Sequence, residues 1–145
     1  MAGTRVKPPE AEVAAVLDGY PAKARRRLLA LRRLILRAAA ETPGVGPLTE
    51  TLKWREAAYL TEASRSGSTI RIAWKPRAPE RYGMYFNCNT DLVDRFRGQF
   101  ADVLSFEGNR AIILDLDKEP PEDALAVCIA AALTYHADRK RRRRT

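Results

Sequence analysis

Catalysis needs particular side chains gathered in one place, and this sequence supplies few of them. It contains a single histidine, His136, and two cysteines, Cys88 and Cys128. A hydrolytic triad needs a nucleophile, a base and an orienting acid in register. No local serine, cysteine or acid stands in such a pattern around His136. That residue sits near the end of a helical run, where an imidazole is stabilised by the helix dipole. One histidine and two separated cysteines do not make up a zinc ligand set. The loop Thr42-Pro-Gly-Val-Gly-Pro47 lacks both the glycine spacing and the lysine of a phosphate cradle. The sequence therefore assigns no catalytic residue and predicts a protein that is not an enzyme.

Three groupings could still bind something. Asp115, Asp117 and Glu119 form the densest acidic stretch, and hard cations such as Fe²⁺ or Mg²⁺ take several oxygen ligands. The competing reading is ordinary surface, since Glu122 and Asp123 just beyond belong to the first turn of a helix, where acids are common. Trp54, Tyr59 and Trp74 lie among strand-like runs with Glu50 and Lys53 adjacent. Such a set can line a ligand pocket or simply fill a core. Third, Arg26, Arg33 and Arg37 fall on one side of a long helix. The chain then closes on Arg139, Lys140, Arg141, Arg142, Arg143 and Arg144. A polycation attracts nucleic acid non-specifically or meets an acidic protein partner loosely. The closing run has no interleaved aromatics and so offers no base-stacking platform.

The total charge conceals this distribution. Of the 26 basic residues, six form the closing run and seven lie between Lys23 and Arg37, leaving thirteen against all 18 acids, a net of −5 for the rest. With 46% hydrophobic and 30% charged residues, the composition is that of a globular domain. No apolar run approaches the ~20 residues of a membrane helix. The first residues lack the layout of a signal peptide, so the expected compartment is the cytoplasm. Both cysteines are expected to be buried, reduced thiols.

The elements that must position these groups follow from periodicity. A short helix over 10–18 precedes one from Pro21 to about Ala40, in which Ala24, Leu28, Leu31, Ile35 and Ala38 recur at helical intervals. Strand-like runs follow over 51–54, 58–61, 69–75 and 82–88, with Ile70, Ile72 and Trp74 alternating. A short helix over 91–100, strands over 103–106 and 110–116, and a closing helix over 122–136 complete the order. Consecutive strands with short connectors favour an antiparallel sheet. The expectation is an α+β fold: five to six antiparallel strands packed by two N-terminal helices and one C-terminal helix. Residues 1–9 read as a leader, 10–136 as a single domain, and 137–145 as a basic, disordered tail.

The run Glu50-Thr-Leu-Lys-Trp54 followed by Tyr59 resembles the YdhG-like family of small bacterial domains of unknown function. Tyr20-Pro21, the strand Ile70 to Trp74, the turn Phe106-Glu-Gly-Asn-Arg110 and the ending Leu133-Thr-Tyr135 extend the resemblance over residues 10–136. It implies an antiparallel sheet packed by helices. One branch of that family is described as a frataxin-like intracellular iron chaperone, so the resemblance also implies Fe as a possible cargo.

Overall fold

In the computed structural model, which describes residues 6–143, the apolar stripe of the long helix decides the architecture. Helix α2 (Ala22–Glu41) buries Ala24, Leu28, Leu31, Leu34, Ile35, Ala38 and Ala39 on one side. Helix α1 (Ala11–Asp18) adds Val13 and Leu17 and ends at Gly19. Together they cover one face of a six-stranded sheet. Its strands are β1 (Thr49–Lys53), β2 (Glu56–Leu60), β3 (Ile70–Ala73), β4 (Arg81–Tyr85), β5 (Ser105–Glu107) and β6 (Ala111–Asp115). Helix α3 (Leu92–Phe100) links β4 to β5, and α4 (Glu122–Leu133) returns across the helical layer to pack on α2.

The strand order is β1-β2-β3-β4-β6-β5, and every pairing is antiparallel. Alternation along the strands sends Ala57, Tyr59, Ile70, Ile72, Tyr82, Met84, Ile112 and Leu114 into the core beneath the helices. Every buried apolar helix residue belongs to that same core, so among the described residues no helix covers the opposite face of the sheet. There, Ala73, Tyr85 and Ala111 make a second, small cluster with Ile113.

Three expectations need correction. The closing helix does not run unbroken to His136: α4 stops at Leu133 and α5 spans Tyr135–Arg143. The β2–β3 loop causes the break. Ser66 Oγ donates to the Leu133 carbonyl (2.7 Å) and the Ser68 amide to that of Ala132 (2.8 Å). The Ser66 carbonyl in turn accepts the His136 and Ala137 amides, both at 2.9 Å. A Cβ on Gly67 would lie 2.3 Å from the Leu133 carbonyl carbon, so this close approach requires glycine. Second, the basic tail is helical as far as Arg143; Arg144 lies outside the described residues. Arginine and lysine favour helix, and their charges suit its C-terminal end. Asp138 pairs with Arg141 at 3.3 Å, while Arg139 lies over the Tyr135 ring at 5.7 Å. Third, Cys88 is exposed; Cys128 alone is buried, and both thiols are free.

Candidate functional site

The aromatic grouping divides among three places. Glu50 and Tyr59 lie in a buried polar knot. Glu50 accepts two bonds from Arg32 (Nε at 2.6 Å, Nη2 at 3.2 Å), one from the Tyr59 hydroxyl (2.7 Å) and one from the Glu10 amide (2.9 Å). Arg32 also donates to the Lys7 carbonyl at 2.7 Å. The knot ties the chain before α1 to α2 and to the edge of the sheet. Burial pushes the Glu50 carboxyl up, but the bonds from Arg32, Tyr59 and Glu10, with the Arg32 charge, hold it below its ordinary value. Burial and then Glu50 drive the Tyr59 phenol far up. Every group is satisfied, which is structural chemistry. Trp74 packs on Tyr20 (ring centroids 5.9 Å apart), with its Nε1 donating to the Pro79 carbonyl at 3.0 Å. Lys53 and Trp54 stand elsewhere, at the tip of the β1–β2 hairpin.

The acidic grouping divides too. Asp117 pairs with Lys23, and Glu119 with Arg27 Nη1 at 2.9 Å. Arg27 Nε also donates to the Leu116 carbonyl at 3.1 Å. Part of the basic helix is thus spent clamping α2 to the segment after β6. Lys23 lowers the Asp117 carboxyl below its usual value. Asp115 accepts the Asp117 amide at 2.8 Å and closes the turn. Among the described residues, no three His, Cys, Asp or Glu side chains are grouped to hold a metal ion. Arg26, Arg33 and Arg37 are exposed on α2, and Arg139, Lys140, Arg141, Arg142 and Arg143 on α5.

A further concentration of cations lies on the uncovered sheet face. A groove of about 610 Å³ crosses it from the β1–β2 tip to the β5–β6 turn. Its cations are Lys53, Arg71, Lys75, Arg77 and Arg110, set against only Glu56 and Glu107. Glu56 is already committed to Arg71 (2.5 Å) and Lys75 (3.6 Å). Lys53, Arg77 and Arg110 make no ion pair among the described residues.

The groove's floor depends on a glycine. A Cβ on Gly83 would meet the Tyr85 ring at 2.9 Å, so the ring lies down over β4. Arg71 Cζ and Lys75 Nζ then sit 5.5 and 4.5 Å from its centroid. Burial, followed by Glu56 and Glu107, pushes the Tyr85 phenol up, so it remains a neutral donor.

At the rim, Trp54 is 85% exposed. It and Arg55 form a two-residue turn with φ of 55° and 63°, the left-handed pair of a type I′ hairpin, which ordinarily selects Asn-Gly. A bulky side chain in that region is strained.

Of the five pocket candidates read from the sequence, only Lys53 and Trp54 line this groove. Arg71, Lys75, Arg77 and Arg110 are not among those candidates, because the lining is drawn from five strands and the turns between them. Arg32 carried a signal: it is four residues after Leu28 and three before Ile35, on the apolar stripe itself.

The chain matches no family model, curated protein or solved structure. Among the described residues, no helix is long and apolar enough to cross a membrane.

Proposed function

We propose that this domain is a non-enzymatic binding module whose ligand site is the groove on the uncovered sheet face, and that its ligands are anionic. The observation that carries this reading is the surplus of five cations over two carboxylates, with three of the cations unpaired. A groove of about 610 Å³ has the size of ordinary small-ligand sites, which run to roughly 300–1,000 Å³. The free thiols of Cys88 and Cys128 suit a reducing compartment, which supports the cytoplasm as its place of work. An antiparallel sheet covered by helices is also what the YdhG-like resemblance implies, and this supports the family reading.

Isothermal titration with tripolyphosphate tests the site. The native protein should give binding heat that a Lys53→Ala/Arg77→Ala/Arg110→Ala variant loses. Equal heat from the two proteins would assign anion binding to α2 or α5, and no heat from either would overturn the reading.

A further inference from the structure

Resting on that reading, we infer that the anion is single-stranded nucleic acid, with Trp54 as the platform on which a base stacks. Binding single strands without regard to sequence takes a cationic track for phosphates and a flat aromatic surface for bases. Both occur here together. Trp54 projects from the rim between two cations, Lys53 and Arg55, and 85% of its surface is exposed. The turn holds it there against its own preference, at φ 55°. Asn would meet the turn's needs with less strain. A large aromatic kept in a strained, solvent-facing position has no packing role in this fold.

The track is of matching length. From β2 through β3 and β4 to β6 there are three strand spacings of about 4.8 Å, roughly 14 Å in all. That distance, longer on the diagonal toward Arg110, spans a few nucleotides of a single strand. Lys75 and Arg77 lie toward the Trp54 end, and Arg110 lies at the far turn. A duplex keeps its bases stacked inside and cannot offer one to Trp54, so preference for a single strand is built into the arrangement. The arginine-rich α5 lies outside the groove and supplies general attraction without this preference.

The test uses the full chain and a short labelled oligodeoxythymidylate, with a duplex of equal length and tripolyphosphate alongside. Trp54→Asn removes the ring while suiting the turn, so the fold survives. The expected result is a Kd for the single strand raised roughly 5- to 150-fold, with tripolyphosphate binding unchanged. The Lys53→Ala/Arg77→Ala/Arg110→Ala variant should flatten the logarithmic salt dependence by about 2, at about 0.7 per phosphate contact. In a Trp74→Phe background, the single strand should quench the remaining tryptophan emission and the duplex should not.

Tripolyphosphate binding that persists while oligonucleotide binding ignores Trp54, or equals that of the duplex, would overturn the nucleic-acid inference and leave the anion site standing. The same holds if Trp54 emission responds to phosphatidylserine vesicles and not to the oligonucleotide. Binding of both probes unaffected by the triple substitution would overturn the groove itself.

Discussion

Removing the Glu50 carboxylate should destabilise the protein more than any surface change. The Arg32 and Glu50 side chains are 5% and 9% exposed and joined by two hydrogen bonds. In Glu50→Ala the guanidinium retains only the Lys7 carbonyl, and the Tyr59 hydroxyl loses its acceptor. Breaking one side of a buried pair costs about 3–5 kcal/mol, and a stranded buried hydroxyl about 1–3 kcal/mol. The two losses share one site and overlap, so about 4 kcal/mol is expected. With a urea dependence of ~2 kcal/mol per molar, the unfolding midpoint should fall by about 2 M.

Arg32→Met with Glu50→Ala removes both charges. It should be less destabilised than the sum of the two single variants by up to about 3 kcal/mol. Acid supplies an independent check. Glu50 is held below the 4.5 of a free carboxyl, so its contribution is complete above that pH and is lost as pH falls through the lower folded value. Stability below pH 4.5 should therefore decline less steeply in Glu50→Gln than in the native protein. A Glu50→Ala cost below about 1 kcal/mol, or strictly additive single substitutions, would refute the buried knot.

Gly67→Ala should cost about 2–3 kcal/mol through overpacking against the Leu133 backbone, with faster amide exchange at His136 and Ala137; an unchanged melt would contradict the close approach. Trp54→Asn should stabilise the fold by about 1 kcal/mol by relieving the left-handed strain, which raises the melting temperature by about 3 °C. A lower melting temperature would mean that the ring supports the hairpin. Ellman's reagent should label Cys88 in the folded protein and reach Cys128 only on denaturation, since burial pushes the Cys128 thiol up to about 12; prompt reaction of Cys128 would refute its burial.

Local periodicity carried the fold. The stripe from Ala24 to Ala38 specified α2, and the alternation of Ile70 and Ile72 specified β3 with its correct buried face. What failed was whatever depended on a distant segment. The end of α4 is imposed by Ser66 and Ser68, which nothing near Leu133 announces. The Trp54-Arg55 turn lacks the Asn or Gly that marks a tight hairpin, so the sequence pattern ended one strand at Trp54 and began the next at Ala58, whereas the turn is at Trp54-Arg55 itself. Arg32 reads as a surface residue by type and as a core residue by position. Only the partner Glu50, eighteen residues on, resolves the conflict. The groove is the extreme case, since Lys53, Arg71 and Arg110 acquire a common face only through the register of five strands.

The most direct test of the groove as the binding surface is an amide-resolved NMR titration of the isotope-labelled protein with the short oligodeoxythymidylate. The largest shifts should fall at Lys53, Trp54, Arg71, Lys75, Tyr85 and Arg110, along one diagonal of the uncovered sheet face. Shifts confined to α2 and α5, with the sheet face unmoved, would contradict it.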